Sequence, residues 1–172
     1  KELAMRAIDR FSITTKNAAY RAQLQKGIIA GQQASAATIF ARDLVNEPAL
    51  VMKPHVLVEK ARALAKKYGF ACRVINEAEA EKMGMGSFCA VARGSEEDGY
   101  IIHLTYKPSK ARKNLKKIVL CGKGITFDSG GLSLKPWDYM MDMKSDMAGA
   151  AVLLGLFSVI KTIAPTWEVH AV

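Results

Sequence analysis

The chain has few of the features that mark several large protein classes. It contains only three cysteines, Cys72, Cys89 and Cys121, and no C-x-x-C pair, so we expect free thiols and a reducing compartment. No uninterrupted apolar run reaches the roughly 18 residues that span a membrane; residues 147–160 come near and predict a buried helix. No secretory signal pattern opens the chain. These absences predict a cytoplasmic protein that does not enter a membrane.

Histidine is equally scarce, and two common catalytic loops are missing. His55, His103 and His170 stand singly in the sequence, and we interpret each as structural or exposed rather than as a metal ligand. The phosphate loop G-x-x-x-x-G-K-[ST] is absent because Lys123 lies between the first two glycines of its segment. The DSGG stretch at Asp128 does not form the G-x-S-x-G nucleophile elbow. A phosphate loop and a serine nucleophile are therefore not predicted.

The remaining pattern predicts an α/β fold. Hydrophobic residues make up 50% of the chain, which is ample for a core. Apolar periodicity and the positions of glycine and proline indicate both helices and strands. We expect a mixed β-sheet flanked by helices. The predicted helices cover 21–46, 54–69 and 77–83, with a further one after Asp146, and the predicted strands cover 71–75, 88–92, 100–106 and 116–121.

Glycines and charged residues follow the last of these predicted strands. The carboxyl end of a strand is where ligands bind in open α/β sheets. Carboxylates are hard ligands, and two close aspartates repel each other unless a cation lies between them, so Asp128 and Asp146 form a candidate cation site. Gly130 and Gly131 permit a tight turn. Each aspartate also has an ordinary interpretation, Asp146 as a helix cap and Asp128 as part of a plain turn.

A longer string in this region is more specific than any single residue. GKGITFDSGGLSLKP followed by MDMKSDMAGAA closely resembles the metal-binding core of the leucyl aminopeptidase family. The resemblance extends upstream through ARDLVNEPA, PHVLVEKARALAKKYG and EKMGMGSFCAVARGSEE, and it covers the chain from about Ala34 to its last residue. It implies a cytosolic two-metal exopeptidase that releases N-terminal residues, leucine-like ones preferred, from peptide substrates.

The same resemblance implies roles for individual side chains. It makes Lys123, Asp128 and Asp146 metal ligands, with Asp128 bridging two ions and Asp146 also facing the substrate. It makes Lys135 a catalytic residue that stays protonated and polarises the scissile carbonyl or holds the developing oxyanion. Met143 would line the pocket for the first side chain of the substrate, although simple core packing is an equal alternative for a methionine.

The implied cofactors are two divalent cations per active site, zinc, manganese or magnesium. In the family they bind the free α-amine, polarise the carbonyl and lower the pKa of a bridging water. A lysine coordinates a metal only as a neutral amine, and adjacent cations favour that form of Lys123 by depressing its pKa.

The sequence also departs from the family pattern. The second acidic motif of the family, NTDAEGR, does not occur in it, and the strand-like run WEVHAV ends the chain as if a sheet were cut. We therefore interpret 1–46 as a remnant and linker helix from a missing N-terminal domain, and 47–172 as the first half of the catalytic domain. We expect this chain alone to be inactive, and the complete enzyme to be a homohexamer.

Charge leaves a further possibility open. The net charge is +9, and residues 107–117 carry six positive residues in eleven. A solvated turn between strands is the ordinary interpretation of such a run. A more specific interpretation is that the run binds nucleic acid, although no aromatic residues lie between its charged residues. A non-catalytic structural or interaction protein is the other alternative.

Overall fold

The computed structural model describes residue 8, residues 10–109 and residues 115–172. The chain divides into two compact units, residues 1–33 and residues 34–172. Residues 1–7 and 9 of the predicted N-terminal remnant lie outside the described residues. So do residues 110–114 of the basic run at 107–117. The division into a linker and a half catalytic domain at residue 46 stays a prediction.

A long helix dominates the first part of the chain. Helix α1 covers Arg21–Asn46, which confirms the predicted helix, and a single 3₁₀ turn, Ala18–Tyr20, precedes it. The Asn17 side chain caps that turn by accepting a hydrogen bond from the Ala19 amide at 2.9 Å. Helix α1 ends just before Pro48, because a proline disfavours the helical conformation in the residue before it.

Four strands form one mixed sheet, as predicted. They are β1 (Ala71–Asn76), β2 (Tyr100–Tyr106), β3 (Lys117–Leu120) and β4 (Glu168–Ala171), in the order β1-β2-β4-β3. Strand β2 is antiparallel to both of its neighbours, whereas β3 and β4 are parallel. Two parallel strands need a crossover connection. The residues between β3 and β4 form this connection, which contains the loop with the candidate site and a long helix.

Two helices cover one face of this sheet. Helix α2 (Pro54–Tyr68) begins with proline and ends at Gly69, which adopts a left-handed φ of 64°. Helix α6 (Ala148–Ile163) carries Phe157, whose ring packs edge-on against Phe70 with centroids 5.1 Å apart. Apolar side chains from α1, α2, α6 and the sheet make one core: Ala41, Leu44, Met52, Leu57, Ala61, Leu64, Leu104, Tyr106, Met147, Ala151, Leu154, Phe157, Ile160, Val169 and Ala171.

The helical stretch 137–163 is long and apolar enough to pass as a membrane span by length and composition. It consists of three pieces, α5 (Trp137–Met140), a 3₁₀-helix (Met141–Ser145) and α6. Helix α6 buries Ala151, Leu154, Phe157 and Ile160 in the core. The predicted helix is therefore confirmed, but it is buried on one face only, since Val152 is 60% exposed.

The predicted strand at residues 88–92 is wrong, because this segment belongs to helix α4 (Gly86–Ala92). A short apolar run does not distinguish a strand from a helix by periodicity. The helix instead turns Cys89 inward, against Ile75 of β1 and against Ala80 of α3 (Glu77–Lys82). The three cysteines are free thiols, as predicted.

Candidate metal centre

The candidate site lies in the loop that follows β3. The Gly122 amide donates to the Val172 carbonyl at 2.8 Å, and the Val172 amide donates to the Leu120 carbonyl at 2.9 Å. The chain therefore leaves the sheet at Gly122, next to the end of β4. This is the carboxyl end of a parallel strand pair, where the sequence predicted a loop.

Close packing of two glycines joins this loop to the start of α6. A Cβ atom on Gly122 would lie 2.7 Å from the Gly149 carbonyl carbon, and one on Gly149 would lie 2.7 Å from the Lys123 amide nitrogen. Side chains do not tolerate such distances, so only glycine fits at either position. The Ala150 amide also donates to the Lys123 carbonyl at 2.9 Å. This contact brings Lys123 beside the residues that precede α6.

Lys123 pairs with Asp146 as a result. Nζ of Lys123 lies 2.7 Å from Oδ2 of Asp146, and the two side chains are 54% and 18% exposed. Contact with this carboxylate raises the pKa of the Lys123 ammonium, and the Asp128 carboxylate adds to the rise. Oδ2 of Asp146 is itself buried. Among the described residues no donor meets the angular requirements of a hydrogen bond to this oxygen, although Nζ of Lys123 is close to it. The contact is therefore an ion pair that leaves this oxygen incompletely satisfied.

Asp146 does not cap α6. Met147 occupies the N-cap position of α6, and no side chain donates or accepts a cap hydrogen bond there. The Asp146 amide instead donates to the Met143 carbonyl at 3.2 Å and closes the last turn of the 3₁₀-helix. The ordinary interpretation of Asp146 as a cap is thus wrong, and its carboxylate points to the loop after β3.

Asp128 and Lys135 form a second pair across a tight turn. Nζ of Lys135 lies 2.5 Å from Oδ2 of Asp128 and 3.3 Å from the Asp128 carbonyl oxygen. The Gly130 amide donates to Oδ1 of Asp128 at 2.9 Å. The hydrogen bond from Lys135, followed by that from Gly130, holds the pKa of Asp128 below its usual range. Gly130 has a φ of 95°, so the predicted tight turn is confirmed.

The two pairs also act on each other: the Asp128 carboxylate helps to raise the pKa of Lys123, and the Lys123 ammonium helps to lower the pKa of Asp128. Carboxylate oxygens suit a hard divalent cation, and the buried Oδ2 of Asp146 is an oxygen that such a cation would satisfy. The donor set is small, however. Within the described ranges no three His, Cys, Asp or Glu side chains form a cluster that could hold a metal. The residues therefore fit part of a metal site.

Met143 lies beside this set, in the 3₁₀-helix Met141–Ser145. It is half-buried, and neither apolar core contains it in the part of the chain that the structure describes. Core packing therefore does not account for this methionine.

The histidines include a pair that the sequence did not reveal. Nε2 of His103 lies 2.9 Å from Nδ1 of His170, and their rings stack with centroids 5.2 Å apart. Nε2 of His170 lies 3.2 Å from Glu168. The two histidines stand on neighbouring strands, where Thr105 lies opposite His170. Only the register of β2 against β4 could have predicted this contact. His55 is exposed, as predicted.

The two described ends of the basic run face a carboxylate. Nζ of Lys107 lies 3.7 Å and Nζ of Lys117 lies 4.0 Å from oxygens of Glu168. Glu168 is buried and so needs compensating charges. These two lysines therefore have a structural partner, which does not favour the nucleic-acid interpretation for them.

Comparison with known proteins identifies a family and a fold. Residues 39–172 match the family model described as the cytosol aminopeptidase family, catalytic domain. A probable cytosol aminopeptidase of Persephonella marina is 44% identical over all of this chain, which spans 32% of that protein. The bottromycin maturation enzyme BotP in complex with Mn superposes with a TM-score of 0.77 at 37% identity, over 86% of this chain and 31% of BotP. For leucyl aminopeptidase of Trypanosoma brucei in complex with actinonin, the TM-score is 0.75 and the identity 32%, over 81% and 27% of the two chains.

Proposed function

Because the chain belongs to the cytosol aminopeptidase family, we propose that it supplies part of the metal site of an aminopeptidase. That enzyme would release N-terminal residues, leucine-like ones preferred, from peptides. The observation that carries the proposal is the meeting of Lys123 and Asp146 at 2.7 Å, at a buried carboxylate oxygen whose one close cationic neighbour among the described residues is this ammonium, with the Asp128 carboxylate also acting on the pKa of Lys123. The complex of BotP with Mn supports a divalent cation as the missing partner.

In this proposal Lys123, Asp128 and Asp146 would hold the two divalent cations, zinc, manganese or magnesium. When bound, the cations supply Lewis acidity for the carbonyl and for an attacking water. The chain contributes the negative charge and the fixed geometry. Lys123 has to give up its proton to become a ligand, since an ammonium has no free electron pair. Its proton would pass to solvent, and its ion pair with Asp146 would be lost in the form that binds a cation.

Lys135 has a different proposed task. Asp128 holds its ammonium through both the side chain and the carbonyl oxygen. In the proposed enzyme, Nζ of Lys135 would donate to the carbonyl oxygen of the scissile bond, from the place next to Asp128 where these contacts hold it. A protonated amine at that point stabilises the charge that develops on this oxygen. Met143, half-buried beside Asp146, would contact the first side chain of the peptide.

The chain spans about a third of the length of the curated relative that it matches over its full extent. We propose that the remaining metal ligands lie in sequence that this chain does not contain, and that the chain alone hydrolyses little or nothing. We further propose that residues 1–46 link to another domain and that residues 47–172 are the first half of the catalytic domain. The complete enzyme would be a cytoplasmic homohexamer.

Binding of Mn²⁺ to the purified chain tests the proposal. Electron paramagnetic resonance counts free Mn²⁺, and we expect Asp128→Asn to weaken binding by roughly tenfold or more because it removes a negative charge from the site. Asp43→Asn is the matched control, since Asp43 is an exposed residue of α1 without an ion pair among the described residues. Equal Mn²⁺ affinity in wild type and Asp128→Asn would contradict the assignment. Hydrolysis of leucyl amide by the chain alone would contradict its proposed inactivity.

A further inference from the structure

Lys144 makes a contact that links the candidate site to a distant helix end. Its Nζ donates a hydrogen bond to the Asn46 carbonyl oxygen at 2.9 Å, across 98 positions of sequence. Asn46 is the last residue of α1. Lys144 belongs to the 3₁₀-helix Met141–Ser145, which lies directly before Asp146. The contact therefore anchors the segment that carries Met143 and Asp146.

The chemistry of a helix end explains why a lysine makes this contact. The last carbonyl groups of a helix lack partners within it, and they form the negative end of its dipole. Helix α1 has no basic residue in its own last turn. Lys144 supplies that charge from another part of the chain. A long cationic donor at this position satisfies the carbonyl, and an apolar side chain of the same length does not.

The 3₁₀-helix has few other anchors. Its neighbour Met147 is fully buried in the core and fixes the chain just after Asp146. On the other side, Met141 and Asp142 are exposed, and the Ser145 hydroxyl bonds only locally, to the Asp142 carbonyl at 2.6 Å. Among the described residues, the hydrogen bond of Lys144 is thus the long-range side-chain contact made by the 3₁₀-helix itself, while Lys123 holds the Asp146 carboxylate that follows it.

We propose that Lys144 is a positioning residue that sets the place of the Asp146 carboxylate, and with it the affinity of the site for a divalent cation. The proposal rests on the proposed function. Lys144 acts through Asp146 and is not itself a ligand. Residues that orient metal ligands typically change metal affinity by about 10-fold to 100-fold when they are replaced.

The sign of the effect separates positioning from simple electrostatics. Removing a positive charge close to a cation site strengthens cation binding if charge alone matters. Loss of positioning weakens it. Lys144→Met is therefore expected to weaken Mn²⁺ binding by roughly 10-fold or more, and Lys144→Arg, which keeps a cationic donor, to remain within about threefold of wild type. Lys66→Met is the matched control, because Lys66 is an exposed lysine in the last turn of α2.

Hydrogen exchange on the Mn²⁺-free chain gives a second, independent measurement. We expect faster exchange of the amides of residues 143–147 in Lys144→Met and unchanged exchange in Lys144→Arg and Lys66→Met. Mn²⁺ affinity in Lys144→Met equal to or tighter than in wild type overturns the proposal. If wild type binds no Mn²⁺, the proposed function fails and the effect of Lys144 on cation affinity fails with it, whereas exchange still tests the anchoring: faster exchange in Lys144→Met supports anchoring of the segment by Lys144, and unchanged exchange overturns it. Should Lys144→Met not fold, Lys144→Gln replaces it with the same expectations.

Discussion

The core and the loop that carries the candidate metal site are adjacent but are stabilised differently. The core helices α2 and α6 pack apolar side chains against one face of the sheet, and Phe157 is completely buried there. The loop from Gly122 to Asp146 is stabilised by glycine contacts and by two lysine–aspartate pairs. The stability of an apolar core depends on the volume that its side chains fill, whereas the structure of the loop depends on the positions of a few charged atoms. Changes in the core should therefore act on stability, and changes in the loop on cation binding.

Truncation of Phe157 should give the largest effect on stability. Phe157→Ala removes a fully buried ring and leaves a cavity, which costs about 3 to 5 kcal/mol in the free energy of unfolding. Val152→Ala in the same helix is the control, because Val152 is 60% exposed and should change the value by less than about 0.5 kcal/mol. Urea unfolding followed by circular dichroism measures both. Similar losses in the two variants would contradict this account of the core.

Gly122→Ala should affect both regions, with a smaller loss of stability. Its Cβ would lie 2.7 Å from backbone atoms of Gly149, so the loop and α6 must move apart at a cost of about 1 to 3 kcal/mol. That movement separates Lys123 from Asp146, so Mn²⁺ binding should also weaken. Gly86→Ala is the control, since nothing lies within 4 Å of a Cβ there. Unchanged stability in Gly122→Ala would show that the glycine contact is not required.

The histidine pair on the sheet should give the smallest effect, visible only as a pH dependence. Burial, then the neighbouring His170 and Arg73, lower the pKa of His103. A lowered pKa means that the folded state favours the neutral ring. Stability is then fully present above the ordinary histidine pKa of about 6.5, and it is lost as the pH falls through the lower folded-state value. Thermal unfolding between pH 7.5 and pH 5 should show this slope reduced in His103→Gln, and an unchanged slope would refute the assignment.

Local sequence signals predicted most of the elements correctly. The helix at residues 21–46 and the helix with proline at its start and Gly69 after it follow from patterns within one element. The segment 88–92 was predicted incorrectly because its short apolar run fits a strand or a helix equally well. In the structure, the helix buries Cys89 against β1 and α3.

In the candidate site, too, the sequence identified the residues but not all of their contacts. The aspartates and lysines could be named from the motif, and the turn after Asp128 follows from Gly130 and Gly131. The roles of these side chains in metal binding and catalysis stay predictions. The anchoring of Lys144 on Asn46 and the pairing of His103 with His170 could not be read from the chain, because each joins residues that are far apart in sequence.

The sequence by itself determined the family, most of the helices and strands, and the chemical groups available after β3. These depend on residue type and local spacing. The tertiary structure alone decided that Asp146 meets Lys123 instead of capping α6, since the packing of Gly122 on Gly149 brings the two together. It also decided that Lys144 donates a hydrogen bond to the last carbonyl group of α1. Such contacts depend on how separate elements pack, because the distance between two side chains of different elements is set by backbone approach and not by their spacing along the chain.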